Sequence, residues 1–284
     1  MMQVLAEPFN YTYMVNAMWV SMLIGTVCAF LSVYLMLKGW SLIGDALSHA
    51  VVPGVVGAYL LGWSFSVGAF FAGLMAAGSM LFLNHRTRLK QDVVIGMVFS
   101  SFLGLGLFLA SVSPVSVNIQ TIVMGNILAI TPEDTWQLII IGGVSLFILL
   151  TQWKAFMIVF FDENHARSVG IDPLMMKTIF FVLLSASTVA AMQTVGAFLV
   201  VAMVITPGAT AYLLTDRFER LIMISVGVGA LSSLVGAYLS YFLDGATGGI
   251  IVVIQTMCFL FAFFLTRKHS VRTAPLAAAE DEVR

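Results

Sequence analysis

Apolar runs follow one another along almost the whole chain, and the polar joints between them are short. Crossing a bilayer as a helix takes about 20 predominantly apolar residues. Stretches at 14–37, 41–62, 64–84, 92–111, 134–152, 174–192, 195–215, 219–243 and 248–266 have that character. The pattern predicts nine spans, or eight if one of the very short joints at 38–40 and 193–194 is not a turn.

Basic residues orient the spans, because cytoplasmic loops carry an excess of Lys and Arg. Lys38 and the cluster Arg86, Arg88 and Lys90 fall on one side if the spans alternate. So do Lys154, Arg167 and Lys177, the pair Arg217 and Arg220, and the tail residues Arg267, Lys268 and Arg272. That side is the cytoplasm if the amino terminus is outside. The stretch SVSPVSVNIQTIVMGNILAITPED at 111–134 then lies outside, broken by Pro114, Asn118, Gln120, Gly125 and Asn126. It fits a re-entrant segment or a lid lining protein or water, and equally an ordinary surface loop with a short helix.

Composition agrees. Of 284 residues, 60% are hydrophobic and 10% are charged, against about 25% charged in soluble domains. A water-facing surface is not available. The net charge of −1 provides no basic field for nucleic acid, and the 22 Phe and 17 Met suit lipid contact and an adaptable interior. The start lacks the basic region of a removable leader. Cys28 and Cys258 lie in apolar runs and read as small buried hydrophobes, not as a disulfide or zinc frame. The expectation is an all-α polytopic membrane protein with one transmembrane domain at 1–266 and a polar, disordered cytoplasmic tail at 267–284.

One feature breaks the apolar pattern. Of the 14 acidic residues and four histidines, only Asp45 and His49 fall within a span and away from its end loops. They stand four residues apart, so on a helix they share a face about one turn apart. A carboxylate in hydrocarbon costs about 2.5–3.5 kcal/mol on insertion scales. Carboxylate plus imidazole is a ligand set for Mn²⁺, Fe²⁺ or Zn²⁺. The alternative is a pair that neutralises itself and only packs helices. Around it, Ala46, Ala50, Gly54, Ala58 and Gly62 form a small-residue stripe at spacing four, which lets another backbone come close. Pro53 removes a helical hydrogen bond beside the pair and predicts a kink.

The run MLKGWSLIGDALSHAVVPGVVGAYLLG resembles the signature of permease subunits of bacterial ATP-binding-cassette importers of manganese, iron and zinc. VVIGMVFSSFLGLGLFL, TIVMGNILAITPED, FDENHARSVGID, QTVGAFLVVAMVITPGATAYLLTDR and YFLDGATGGIIV follow in the family's order, covering about 10–266. The resemblance implies a type II importer-like permease in the bacterial cytoplasmic (inner) membrane. Asp45 and His49 match its intramembrane metal pair, and manganese or iron, with zinc open, would be cargo and not a resident cofactor. The segment 161–172 matches the cytoplasmic helix that docks on the ATPase, which points to Asp162, Glu163, Ala166, Arg167 and Gly170; the plainer reading is a solvated connector. Implied partners are an ATP-binding subunit, a periplasmic or surface metal-binding protein, and a second permease copy or paralogue, within lipid and without nucleic acid.

Two other classes remain to be weighed. No glycine is followed by lysine, so there is no phosphate-cradling G-x-x-x-x-G-K-[ST] loop and ATP hydrolysis would belong to another chain. An ion-coupled secondary transporter also uses broken helices and intramembrane ionisable groups, but usually several acids in relay. An intramembrane metalloprotease would want H-E-x-x-H, which is absent.

Overall fold

The computed structural model describes residues 6–40, 42–87, 89–112 and 132–277. After a 3₁₀ turn, Glu7–Asn10, the helices are α1 Thr12–Lys38, α2 Ile43–Ala50, α3 Val52–Leu61, α4 Phe65–Arg86 and α5 Gln91–Val112. They continue with α6 Pro132–Phe161, α7 Glu163–Ser168, α8 Pro173–Val195, α9 Ala197–Leu214, α10 Phe218–Leu243 and α11 Thr247–Ala277. No strand occurs among the described residues. Among the described residues eight helices are long and apolar enough to cross a membrane, α2 and α3 counting together as one. The ninth expected span is α9, which is shorter. The stretch read as a re-entrant segment, lid or loop falls between α5 and α6, and its residues 113–131 lie outside the described ones.

Two boundaries differ from the sequence reading. The fifth span was expected to end at 152, yet α6 runs through Lys154 to Phe161. Nothing between Trp153 and Asp162 breaks a helix, and the Lys154 ammonium sits over the Trp153 ring, 5.3 Å from its centroid. The last helix continues to Ala277, past the apolar span that ends at Thr266.

α1 is the hub. It is the most buried of the spans and packs on α10, α9, α6 and α8. Small residues bring α1 and α10 together: a methyl at Gly25 would lie 2.8 Å from the Gly229 carbonyl oxygen, and one at Gly229 2.7 Å from that of Gly25. Ser225 of α10 donates to the Ala29 carbonyl at 2.7 Å. Without a hydrophobic drive between helices in lipid, such close contacts and cross-helix hydrogen bonds hold them. Near its cytoplasmic end α1 buries Tyr34, whose hydroxyl donates to the Trp153 carbonyl at 3.0 Å. Phe30, Phe156, Phe160, Phe180 and Phe218 surround that ring.

The broken pair α2–α3 packs against α4 and α5 on one side and reaches α8 and α9 through α2. The expected small-residue stripe is split by the break at Val51. Ala46 and Ala50 are buried on α2, whereas Gly54 and Ala58 face α4. A methyl at Gly54 would lie 2.0 Å from the Gly68 carbonyl oxygen and 2.5 Å from the Ala72 methyl. Gly62 is not part of the stripe; it ends α3 at φ 71.

The contact is testable within one helix. Gly54→Ala should lower the unfolding midpoint of the detergent-solubilised protein, since overpacking costs about 1–3 kcal/mol. Gly57 has nothing within 4 Å of an added methyl, so Gly57→Ala should raise the midpoint, by up to about 1 kcal/mol of helix propensity. Equal midpoints for the two variants would refute the close approach of α3 and α4.

Candidate metal pair and cytoplasmic docking helix

The metal pair begins with how α1 stops. Gly39, at φ 67, sends its N–H to the Met36 carbonyl at 3.2 Å while Trp40 N–H reaches that of Leu35 at 2.8 Å. This double bond at a left-handed glycine closes the helix end. α2 then starts at Ile43 and is eight residues long. Asp45 lies in its first turn and His49 in its last, the placement a helix dipole favours for a carboxylate and an imidazolium.

Pro53 has no N–H to give the His49 carbonyl, and the helix is interrupted at Val51, whose N–H turns back to His49 instead. The kink expected from Pro53 is therefore a full break. His49 stands two residues before it, and Asp45 lies one turn nearer the end that the basic residues place toward the cytoplasm.

The structure brings the two side chains together, His49 Nε2 lying 3.4 Å from Asp45 Oδ1. Donors about 2.1 Å from a shared ion lie roughly 3.0–3.4 Å apart in an octahedral or tetrahedral shell, so the spacing fits two ligands of one cation as well as a hydrogen-bonded pair. The His49 side chain is 19% exposed and that of Asp45 41%. The edge of Phe99, from α5, meets the imidazole at 5.7 Å between centroids. Among the described residues no group of three or more His, Cys, Asp or Glu converges. The described residues thus bring two such side chains together here, and the rest of a metal's shell would come from elsewhere.

The segment 161–172 forms a capped helix, as its sequence predicts. Asp162 caps α7, its carboxylate accepting from Asn164 N–H at 2.8 Å and His165 N–H at 3.2 Å. Those bonds, that from His165 first, hold the Asp162 carboxyl below the usual carboxylate range. At the other end Gly170, at φ 84, bonds back to Arg167 at 3.1 Å and Ile171 to Ala166 at 2.9 Å. Ala166 needs a correction as a docking residue: it is 0% exposed, so its methyl faces this chain's own core and anchors the segment. Within α7 the exposed positions are Asn164, His165, Arg167 and Ser168, and Asp162 and Gly170 at its two ends are exposed as well.

Three contacts escaped the sequence reading. Glu163 pairs with Lys177 of α8, Trp40 donates its indole N–H to Gln91 of α5, and Phe99 backs His49. A lone lysine one turn into an apolar span was the available signal for the first. The others are tertiary contacts between ordinary membrane residues and left no mark.

Comparison with known proteins places this geometry. Residues 10–266 match the family described as ABC 3 transport. The chain is 60% identical to the Yersinia pestis chelated iron transport system membrane protein YfeC over 271 residues, covering 95% of this chain and 92% of that protein. It is 44% identical to the manganese transport system membrane protein MntB of a Synechocystis species, covering 94% of this chain and 87% of that one. Among solved structures, PsaBC from Streptococcus pneumoniae in complex with Fab aligns with a TM-score of 0.83 at 34% identity, covering 96% of this chain and 100% of that chain. An inward-facing metal-chelate type ABC transporter, at 15% identity and a TM-score of 0.61, shares the fold. With a family match over most of its length and relatives this similar, the chain belongs to the ABC 3 transport family of membrane permeases.

Proposed function

We propose that this chain is the permease subunit of an ATP-driven importer of manganese or iron(II) ions in the bacterial cytoplasmic membrane, with zinc a weaker candidate. The cation passes Asp45 and His49. The observation that carries this reading is their pairing at 3.4 Å inside a span, beside a broken helix. The relatives' names support the metals, being a chelated iron system and a manganese system. The donor chemistry suits either ion.

Partners follow from what the chain lacks. It has no phosphate-binding loop of its own, so hydrolysis falls to a separate ATP-binding subunit, and a metal-binding protein outside delivers the ion. A second permease copy or a paralogue completes the path. Asp45 is 41% exposed in a span, and facing lipid there costs about 2.5–3.5 kcal/mol. A twofold-related partner would remove that cost and contribute a second Asp–His pair.

Asp45→Asn and His49→Ala should each lower uptake of Mn²⁺ into vesicles by more than about 100-fold, at least the effect of losing a supporting group, while insertion and assembly stay intact. Uptake near the wild-type level in either variant would sink the metal assignment.

The docking reading needs a variant on the exposed side of α7, because Ala166 is buried. Arg167→Glu should weaken co-purification of the ATP-binding subunit by about 10-fold or more, as reversal of an interfacial charge does. If the subunit co-purifies unchanged and uptake persists, α7 is a solvated connector.

A further inference from the structure

Lys177 is the fifth residue of α8, and only 15% of its side chain is exposed. It touches two things at once. Its ammonium pairs with the carboxylate of Glu163, the first residue of the docking helix. Its side chain also borders a polar cavity of about 230 Å³ with Asn84, Glu163 and Arg167. On the inner side it lines a second cavity of about 20 Å³ with Trp40, Ile43, Gln91 and Phe181.

Those inner residues are the roots of the elements that hold the metal pair. Ile43 opens α2, and Gln91 opens α5, which carries Phe99 against His49. Trp40 ties the two starts together by its hydrogen bond to Gln91. It also stacks on Phe181 at 5.6 Å and 23°, one turn along α8 from Lys177. Lys177 thus stands between these starts and α7.

We propose that Lys177 is a positioning residue that carries movement of the docking helix to the Asp45–His49 pair. This rests on the reading of α7 as the docking element. The physical reason is that a mostly buried ammonium is costly to strand without its partner. When the ATP-binding subunit shifts α7, Lys177 follows Glu163, and its stem moves against the Trp40–Gln91 contact from which α2 and α5 start. A contact chain of this kind earns the name of coupling only through a measured interaction between its ends.

The test uses the complex with its ATP-binding subunit, reconstituted in vesicles with Mn²⁺ as the transported ion. Lys177→Met and Lys177→Gln should keep subunit association and basal ATP hydrolysis, yet lower Mn²⁺ uptake about 10-fold, within the range of typical coupling energies. The double exchange Lys177→Glu with Glu163→Lys should recover most of the uptake. Uptake within about twofold of wild type in Lys177→Met overturns the inference, since that lies below ordinary coupling. Loss of association in the single variants also overturns it, because the pair is then only a brace for α7. So does an exchange that restores association without uptake. Arg167→Glu separates this outcome from failure of the docking reading: if that variant releases the ATP-binding subunit while Lys177→Met transports normally, the inference alone falls. If Arg167→Glu keeps the subunit bound, both fall.

Discussion

In hydrocarbon a backbone N–H or C=O has no water to bond, so it must be satisfied within the protein. Everything else in this fold follows from that constraint. Regular helices meet it unaided, and every irregularity must be repaired locally. Gly39, Gly62 and Gly170 end their helices with paired bonds back to the last turn. Gly196, at φ 88 and ψ 157, separates α8 from α9 in a conformation essentially restricted to glycine. Pro207 lies inside α9, and one buried hydroxyl meets the backbone beside it. Ser32 of α1 donates to the Ile205 carbonyl at 3.1 Å and accepts from Gly208 N–H at 3.0 Å.

The break at Val51 is the irregularity with chemical consequences. It leaves the His49 carbonyl without the N–H that Pro53 cannot supply and sets the eight-residue α2 off from α3. That short helix carries both ionisable side chains. Close packing keeps it in place, with Gly44 against Val204 of α9 and Gly54 against Gly68 of α4. The surroundings of the pair therefore combine two opposed features. The backbone is loosened at one residue, and the surrounding helices are drawn tight by small side chains.

The cytoplasmic end is organised differently, by aromatic rings and one ion pair. Tyr34, Phe160, Phe180 and Phe181 form a continuous cluster beneath the bundle, with Trp40 at its margin. α7 is attached to this base by its Asp162 cap, the buried Ala166 methyl and the Glu163–Lys177 pair. Core packing on one side and the Glu163–Lys177 contact on the other hold α7 to the rest of the chain.

Much of this was legible from residue order alone. Length and apolarity define spans locally, so the helices and their number to within one follow without a fold. Asp45 and His49 stand out because their cost is set by depth in the bilayer, and the caps at Asp162 and Gly170 obey local rules. Contact across the fold is another matter. That Ala166 points inward, that Lys177 answers Glu163 from 14 residues away, and that Phe99 backs His49 depend on how helices distant in sequence are stacked. Among side chains that are almost all apolar, many stackings bury similar area. Close packing around a few glycines, which no single segment encodes, selects one of them.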